Sequence, residues 1–499
     1  MPPVPINSAK RIKGAFMKKT FSLILFFLSV FLAATACWIV DKFGNVTTEQ
    51  LLFHLYMPLD SDAKTIISFV RNTIFWAVGL TALYAFVLKK LQNVKPDNFF
   101  AVHFSKLTYL FFGGCVVFSA VKLNVPNWFK DNFSTRSNFY ETYYSDPSQV
   151  KLTFPDKKRN LVLIFVESFE STYSEKDGEN LIPETAAAAR MKGVNFSDAD
   201  RLGGAEQVAG TSWTQAGLVA QTCGIPLRLP IDPAHYRMYT YFLPKAHCLY
   251  DVLKDNGYAE KFMIGTKSSF AGMDIFFKSH GDLKIEDYTY FTGKGGKVWN
   301  IASFKWGLKD SETYSLAKKE LSELGKSDTP FAFGMMTMDT HFATGYFDDT
   351  VCKPKYPRQD VYKNVISCAD KQLSDFLAWL ESQPFYKNTT VVVVGDHLAM
   401  NDAVFGKDKR RRVFNLFLNA QAKPVKTTNR KFTTMDIYPT ILAAMGVEIA
   451  GDRLGLGTSL FSGKPTVLEQ IGDTEKFNEN IMKRSAVYDY LLYGRKVDL

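Results

Sequence analysis

A run of apolar residues that ends on a carboxylate occurs at residues 160–168, NLVLIFVES. A second run of the same kind, VVVVGDH at residues 391–397, ends on Asp396 and His397. Short apolar runs of this length are typical of strands that are buried on both faces of a sheet. Ligands of parallel sheets gather beyond the carboxyl ends of the strands, so we expect Glu167, Asp396 and His397 to lie at such an edge.

From Asn160 onward, strand-like and helix-like patterns alternate. The strand-like runs are 161–166, 261–264, 331–338, 391–395 and 413–418, and the helix-like stretches are 185–192, 212–221, 311–324 and 369–382. This alternation predicts an α/β domain in which a mostly parallel sheet is flanked by helices. We place this domain at residues 159–465 and treat 466–499 as a C-terminal extension.

The first 122 residues hold three long apolar stretches, at about 21–40, 66–88 and 99–121. Each is long enough to cross the hydrocarbon core of a bilayer as a helix. Buried helices of a soluble protein are the alternative, but three such stretches this close together favour a membrane domain at 1–122. Residues 123–158 follow as a linker rich in aromatic residues, which suit either the membrane interface or packing against the next domain.

The distribution of basic residues predicts the orientation of the spans. Basic residues precede the first span and follow the second, whereas residues 41–65 contain only Lys42 and Lys64. We therefore expect a cytoplasmic N-terminus and an exterior location for everything after residue 122. A signal peptide that starts at Met17 and is cut near Ala36 is an alternative, and it would leave the following region on the same side.

Cysteine usage agrees with an exported domain. Four of the six cysteines, Cys223, Cys248, Cys352 and Cys368, lie outside the apolar stretches, and an even number in an oxidising compartment suggests two disulfides. Proximity favours Cys223 with Cys248 and Cys352 with Cys368, although four cysteines allow three pairings and four free thiols are the alternative. The formal charge of +10 comes with no nucleic-acid-binding module, and a basic exported face suits anionic phospholipids.

The residues at the two strand ends are suited to binding a metal ion. A carboxylate that interrupts a buried apolar run needs a charge partner or a cation, because its burial alone is costly. Thr211 follows a turn-prone glycine-rich stretch and precedes a helix-like one, where free N–H groups and a hydroxyl face a bound phosphate. The simpler alternatives are a salt bridge at the rim for Glu167 and a helix N-cap for Thr211.

Several ordered motifs resemble one enzyme family. They are NLVLIFVESFESTY (160–173), GTSWTQAGLVAQTCGIPL (210–227), TMDTHFATGYF (337–347), GDHLAMND (395–402) and MDIYPTILAAMGV (435–447) followed by DRLGLG (452–457). Over roughly residues 139–460 the chain resembles the phosphoglycerol transferase and lipoteichoic acid synthase-like branch of the alkaline phosphatase/sulfatase superfamily. The resemblance implies an alkaline-phosphatase/sulfatase-like domain behind the membrane helices.

The resemblance also implies a set of functional residues. One divalent metal ion would be bound by Glu167, Thr211, Asp396 and His397, with Thr211 as the nucleophile. His341 would contact the substrate phosphate or the leaving glycerol, Asp339 would orient its neighbours, and Trp306 would form a wall of the glycerol pocket. Oxygen and nitrogen ligands suit Mn²⁺, Mg²⁺ or Zn²⁺, and of these we expect Mn²⁺.

The implied activity moves sn-glycerol-1-phosphate from phosphatidylglycerol to a glycan or a glycerol-phosphate polymer through a phospho-threonine. It would take place in a bacterial inner membrane, with the site facing the periplasm or exterior. Three alternatives stay open: a phosphoethanolamine transferase, a sulfatase-like phosphodiesterase, and a non-catalytic membrane scaffold.

The chain departs from the patterns of related families. Lipoteichoic acid synthases carry a His and an Arg where this chain has IGTKSSFAGMD (264–274), so Lys267 is the one candidate cation there. The sulfatase pattern C/S-x-P-x-R does not match residues 223–227, CGIPL. Phosphoethanolamine transferases usually follow Asp-His with Gly-Glu and a later His, whereas here Leu398 and Ala399 follow and no later His occurs.

Overall fold

The structure is a computed structural model. It describes residues 6–44, 46–56, 63–94, 98–133, 136–175, 178–229, 241–292, 299–301, 304–341, 344–400 and 411–494. The chain divides into two compact units. The first comprises Met1–Thr48 and Ser61–Phe129, and the second comprises Glu49–Asp60 and Lys130–Leu499.

The first unit is helical. Its helices are α1 (Ile6–Phe43), α3 (Ala63–Phe69), α4 (Phe75–Val94) and α5 (Phe99–Lys122), and a π-helical turn, Val70–Ile74, joins α3 to α4. Between α1 and α3 lies α2 (Thr48–Tyr56), which belongs to the second unit from Glu49 onward. Three segments are long and apolar enough to cross a membrane, Met17–Phe43, Thr65–Val94 and Phe99–Lys122. They coincide with the three stretches predicted from the sequence. The Phe26 ring of α1 stacks on Tyr84 of α4 and on Phe111 of α5.

The second unit contains the remaining elements. The helices are α6 (Val125–Phe133), which begins in the first unit, α7 (Phe139–Tyr143), α8 (Pro183–Met191), α9 (Thr214–Cys223), α10 (Leu249–Asp255), α11 (Met273–Ser279), α12 (Tyr288–Thr292), α13 (Asp310–Leu324), α14 (Val361–Glu381), α15 (Ile437–Ala444), α16 (Val467–Ile471), α17 (Thr474–Ile481) and α18 (Ala486–Tyr493). Short 3-10 turns are Ser171–Glu175, Phe270–Gly272, Pro384–Asn388, Thr434–Asp436, Ala450–Asp452 and Leu460–Ser462.

The strands are β1 (Leu152–Thr153), β2 (Asn160–Val166), β3 (Gly193–Val194), β4 (Gly204–Ala205), β5 (Ala259–Ile264), β6 (Ile285–Glu286), β7 (Trp299–Ile301), β8 (Phe304–Gly307), β9 (Phe331–Met336), β10 (Thr389–Gly395), β11 (Val413–Leu418), β12 (Glu448–Ile449), β13 (Arg453–Leu454) and β14 (Gly457–Thr458). Eight of them form one sheet, in the order β3-β11-β10-β2-β9-β5-β6, with β4 paired to β11. The pairs from β10 through β6 are parallel, and β11 runs antiparallel to its neighbours. The predicted α/β fold with a mostly parallel sheet is confirmed.

Both faces of the sheet are covered, which explains the continuous apolar runs. Alternate residues of β2 point to opposite faces: Leu161, Leu163 and Phe165 join one apolar cluster, and Val162 and Ile164 join the other. Every residue of β2 and β10 is buried. A strand buried on both faces has no reason to alternate apolar and polar side chains.

The flanking regions pack into the same core as the sheet. Phe139 and Tyr140, from the stretch treated in the sequence as a linker, are 4% and 0% exposed and belong to the core cluster. The Tyr140 hydroxyl donates to the carbonyl of Ile481, in the region treated as a C-terminal extension. The compact unit therefore extends beyond 159–465 in both directions.

The four cysteines outside the candidate spans form two disulfides, Cys223–Cys248 and Cys352–Cys368. This is the pairing that proximity in the sequence favours. The first disulfide joins the end of α9 to the start of α10, and the second joins the loop before α14 to that helix.

Candidate active site

The register between β2 and β10 places two carboxylates side by side. Val166 pairs with Gly395 at the parallel ends of these strands, so the next residues, Glu167 and Asp396, leave the sheet at the same point. Their side chains are 1% and 0% exposed. The carboxyl edge of the sheet thus holds two buried acidic groups next to each other.

Ser168 holds the two carboxylates in place. Its backbone N–H donates to Asp396 Oδ1 at 2.8 Å, and its hydroxyl donates to Glu167 Oε1 at 2.7 Å. Ser168 has a φ of 54°, in the left-handed region that residues other than glycine rarely adopt. Such a conformation costs on the order of 1–3 kcal/mol, and it commonly occurs at functional sites.

His397 directs one ring nitrogen at the carboxylates. Its Nδ1 lies 2.7 Å from the Leu398 carbonyl, and because a carbonyl only accepts, Nδ1 carries the hydrogen. Nε2 then lies 3.3 Å from Asp396 Oδ2 and 3.5 Å from Glu167 Oε1. A backbone carbonyl that fixes the ring in this way is typical of metal-binding histidines.

The pKa values reflect this crowding of charge. Burial, reinforced by the Glu167 carboxylate, raises the pKa of Asp396 to about 7. Burial lowers the pKa of His397, but the Asp396 and Glu167 carboxylates outweigh it, so the pKa is raised overall. Two buried acids facing one imidazole need either a proton or a cation between them.

The residues present fit a divalent cation. Ligand atoms of Glu167, Asp396 and His397 all lie within 4.8 Å of one another. Among the residues that the structure describes, Asp396 Oδ2 is buried without a hydrogen-bond partner. Two carboxylate oxygens and one imidazole nitrogen are a ligand set that Mn²⁺, Mg²⁺ and Zn²⁺ all accept.

Besides the Ser168 hydroxyl, the hydroxyl of Thr214 reaches this group. Its Oγ1 lies 3.5 Å from both Glu167 Oε2 and His397 Nε2. The sequence favoured Thr211 for this position, and the structure places Thr211 differently. Both hydrogen bonds that the buried Thr211 hydroxyl makes among the described residues go to Val208, 2.8 Å to its carbonyl and 3.1 Å from its N–H. Thr211 therefore closes a turn, and Thr214 faces the carboxylates.

The packing of α9 against the end of β10 explains the position of Thr214. Trp213 is the N-cap, so Thr214 is the first residue of the helix. Gly217, one turn later, lies so close to β10 that an added Cβ would be 2.2 Å from the Asp396 carbonyl oxygen. Gln221 donates from Nε2 to the carbonyls of Gly395 and Asp396. These contacts fix the N-terminal end of α9, with its free N–H groups, at the candidate metal ligands.

Comparison with known proteins agrees with this arrangement. The family model described as Sulfatase matches residues 159–447. The chain belongs to the sulfatase family. In this family member the matched region begins just before β2 and ends just before β12, so it contains all of the candidate metal ligands.

Curated relatives have a common name. Phosphoglycerol transferase I of Shigella flexneri is 32% identical over 401 residues, which are 78% of this sulfatase-family chain and 49% of that relative. The protein of the same name from Escherichia coli strain K12 gives the same identity and coverage. The chain spans about half the length of these relatives.

A solved membrane protein has a similar fold. Lipooligosaccharide phosphoethanolamine transferase A of Neisseria meningitidis superposes with a TM-score of 0.51 at 14% identity, over 85% of this chain and 84% of that one. At this identity the likeness shows the fold alone.

The other residues predicted for the site have different surroundings. The turn that contains His341 is tied to the metal-binding group, because the Thr340 hydroxyl donates to the Glu167 carbonyl. The His341 ring packs edge-on against Phe270, with centroids 5.9 Å apart. Trp306 belongs to β8, but its side chain lies outside the part of the chain that is described.

Asp339 lies in a second group of buried acids. Its N–H donates to Asp310 Oδ2, and its own carboxylate oxygens have no hydrogen-bond partner within the described ranges. Burial, reinforced by Asp310, raises the pKa of Asp339 well above its usual value. Its carbonyl accepts from the N–H of Tyr346, which helps to shape the turn around His341.

One further pair near the site was missed in the sequence. The Arg411 guanidinium binds both oxygens of Glu170, and the same carboxylate accepts from the N–H of Ala399, two residues after His397. Glu170 is 0% exposed. It lies three residues after Glu167 in ESFES, but nothing in that pattern identifies Arg411 as its partner.

Proposed function

We propose that this chain is a membrane-anchored phosphoglycerol transferase that takes sn-glycerol-1-phosphate from phosphatidylglycerol and passes it to a glycan or glycerol-phosphate acceptor. The observation that carries the proposal is the Thr214 hydroxyl, 3.5 Å from Glu167 and from His397 at the N-terminal end of a helix. A hydroxyl beside a metal-binding group can act as the nucleophile in phosphoryl transfer. The name of the curated relatives supports the choice of donor.

The first half-reaction forms a covalent intermediate. Thr214 Oγ1 attacks the phosphorus of the lipid, and its proton passes to Glu167 Oε2, which lies 3.5 Å away. The bond from phosphorus to the diacylglycerol oxygen breaks, and that oxygen leaves with the electron pair. His341 is the candidate donor of the proton that the leaving oxygen takes. Diacylglycerol and phosphoglyceryl-Thr214 are the products.

The second half-reaction reverses these roles. An acceptor hydroxyl attacks the same phosphorus and gives its proton to His341, which lost one in the first step, while the bond to Thr214 Oγ1 breaks and Thr214 recovers its proton from Glu167. The N–H groups at the start of α9 stabilise the negative charge on the phosphoryl oxygens in both steps. This order predicts that the donor lipid is cleaved once per enzyme even when no acceptor is present.

One divalent ion, Mn²⁺, Mg²⁺ or Zn²⁺, would be held by Glu167, Asp396 and His397, with Thr214 in place of Thr211 as the fourth ligand. When bound, such an ion stabilises negative charge on the hydroxyl oxygen and on the phosphoryl oxygens. Ser168 keeps both carboxylates oriented toward the ion, and the Leu398 carbonyl keeps Nε2 of His397 free to bind it.

We place the protein in a bacterial inner membrane, with the second unit outside the cytoplasm. Three candidate spans and two disulfides in the second unit support this location. The loop between the first two spans supplies Glu49–Asp60 to the second unit. This assignment supports the exterior location of the loop and the second unit that the distribution of basic residues predicts.

The test uses full-length protein in detergent, loaded with Mn²⁺ and incubated with phosphatidylglycerol without acceptor. We expect diacylglycerol in an amount close to that of the enzyme, and glycerol phosphate bound to the protein. Continuous release of free glycerol phosphate would indicate a phosphodiesterase instead. Modification only with phosphatidylethanolamine would indicate a phosphoethanolamine transferase.

A further inference from the structure

A segment between the first two spans packs into the second unit. Residues 49–55, most of α2, follow the span Met17–Phe43 and precede the span Thr65–Val94. In the second unit, Glu49, Gln50 and Phe53 are 4%, 3% and 1% exposed. A loop that only joined two membrane helices would have no reason to bury a carboxylate and a phenyl ring.

Glu49 contacts the segment at residues 227–229, which supports the 208–211 turn. Its Oε1 accepts from the N–H of Leu229. Burial raises the pKa of Glu49, and the neighbouring Arg228 guanidinium opposes this only in part. Two residues before Leu229, the N–H of Leu227 donates to the carbonyl of Gly210 at 2.8 Å. A short path of contacts thus leads from Glu49 to the residue that precedes Thr211.

Phe53 contacts the other side of the same region. Its ring lies 5.9 Å, centroid to centroid, from the ring of Trp213, which is 2% exposed. Trp213 is the N-cap of α9, and its carbonyl accepts from the N–H of Gly217. Phe53 therefore packs on the residue whose backbone starts the helix at Thr214.

His54 follows Phe53 in this segment, and the two rings pack edge-on with centroids 5.5 Å apart. Burial, followed by the nearby His341, lowers the pKa of His54 to about 4, so the ring is neutral at pH 7. A neutral imidazole both donates and accepts hydrogen bonds, which suits a hydroxyl group. His341 lies in the turn that Thr340 ties to Glu167. The electrostatic effect of His341 on His54 indicates that the two imidazoles lie near each other, although they come from distant parts of the sequence.

We propose that the 49–55 segment is part of the active site. Glu49 and Phe53 are positioning residues for Thr214, and His54 joins His341 in binding the glycerol hydroxyls of the donor lipid. The assignment of His54 rests on the proposed function, because it takes the donor head group to be glycerol phosphate. It adds a binding residue from the segment between the first two candidate spans to a site that otherwise comes from residues after 160.

The test measures formation of phosphoglyceryl-enzyme by the full-length protein in nanodiscs that contain phosphatidylglycerol at several mole fractions. For His54→Ala we expect the half-saturating lipid fraction to rise about tenfold, as for loss of one or two hydrogen bonds, with metal affinity and melting temperature unchanged. His54→Gln, which can still donate and accept, restores most of the affinity. The matched control is His247→Ala, since His247 faces the exposed Asp255 at 3.6 Å.

For Phe53→Ala we expect the opposite pattern. The rate at saturating lipid falls about tenfold or more because Thr214 is less well positioned, whereas the half-saturating lipid fraction stays within threefold. Phe53→Leu recovers the rate.

The outcomes distinguish a failure of the role given to residues 49–55 from a failure of the proposed function. If the wild type is modified and both alanine variants behave within twofold of it, the segment has no role in the site and the inference is wrong. A fall in melting temperature alone, with unchanged lipid dependence and rate, shows a purely structural role and also overturns it. A wild type that phosphatidylglycerol never modifies contradicts the proposed function, and the assignment of His54 then fails with it.

Discussion

The 208–211 turn and the first turn of α9 each offer a buried threonine hydroxyl, three residues apart, and only one of them faces the metal-binding group. Thr211 satisfies its hydroxyl twice on the backbone of Val208. Thr214 Oγ1 has two partners at 3.5 Å, both of them side chains of candidate metal ligands. A hydroxyl that closes a turn is a structural group, and one held at long distance between a carboxylate and an imidazole is available for chemistry.

The largest expected effect on activity is that of removing the Thr214 hydroxyl, and the comparison is with removal of the Thr211 hydroxyl in a separate variant. We expect Thr214→Ala to lower the rate of diacylglycerol release about 10⁴-fold, as for loss of a covalent nucleophile. Thr211→Ala loses hydrogen bonds that each contribute about 1 kcal/mol, so its activity should stay within about tenfold of the wild type. A rapid assay with labelled phosphatidylglycerol measures both, and equal losses would erase the distinction between the two threonines.

Removing a candidate metal ligand tests whether the carboxylates that Thr214 faces bind a metal ion. Glu167→Gln and Asp396→Asn should each weaken Mn²⁺ binding about 10²-fold or more, because a carboxylate in direct contact with the ion is lost. Isothermal titration of the metal-free protein measures this directly. The control is Asp370→Asn, since the buried Asp370 carboxylate accepts from the N–H groups of Glu184 and Thr185 at the start of α8. Asp370→Asn should lower stability and leave metal affinity intact.

The close approach of α9 to β10 offers a way to move Thr214 without touching it. In Gly217→Ala the new Cβ would meet the Asp396 carbonyl oxygen at 2.2 Å, so the helix must shift. Overpacking of this kind costs about 1–3 kcal/mol, and misplacement of the hydroxyl should lower activity on the order of 10²-fold. Gly113→Ala is the matched control, because nothing lies within 4 Å of a Cβ added there. An unchanged Gly217→Ala enzyme would show that Thr214 does not depend on this packing.

The smallest expected effect is on the pH dependence of stability, which should depend on Asp396 in the group that Thr214 faces and should not depend on Thr211. In the metal-free protein the pKa of Asp396 is raised to about 7. In the unfolded chain an aspartate releases its proton near 3.9, so between these pH values the folded state binds more protons and its stability falls as pH rises. Each pKa unit contributes at most about 1.4 kcal/mol.

Metal binding should reverse this trend, because the ligands must be deprotonated to bind. Thermal unfolding of metal-free and Mn²⁺-loaded protein between pH 5 and 8 therefore gives opposite slopes. The slope of the metal-free protein should be smaller in Asp396→Asn and unchanged in Thr211→Ala. Parallel slopes with and without Mn²⁺ would contradict the assignment of Asp396 as a ligand.

The strands and helices could be predicted from the sequence because the patterns that identify them are local. Apolar runs such as LVLIFV and VVVV identify strands buried on both faces, and observed β2 and β10 extend the predicted strands by one and two residues. That Glu167 and Asp396 become neighbours depends on which strands pair and in what register, which no local pattern contains. The helix α14 begins eight residues before its predicted start, since polar residues such as Asn364 and Asp370 are buried there.

The site was predicted less well than the fold, for a specific reason. The family resemblance implied that Thr211 is the nucleophile, and the helix-like stretch predicted at 212–221 put Thr211 at a helix N-terminus. The structure instead uses Trp213, which packs against Phe53 and makes no side-chain cap. Contacts between segments that are more than a hundred residues apart decide this, as they decide the packing of residues 49–55.

The most direct test of the central claim locates the covalent intermediate. Full-length protein is incubated with Mn²⁺ and phosphatidylglycerol, quenched in acid and digested, and the peptide that contains residues 211 and 214 is fragmented in a mass spectrometer. We predict glycerol phosphate on Thr214 and an unmodified Thr211. Glycerol phosphate on Thr211, with Thr214 unmodified, would contradict the account.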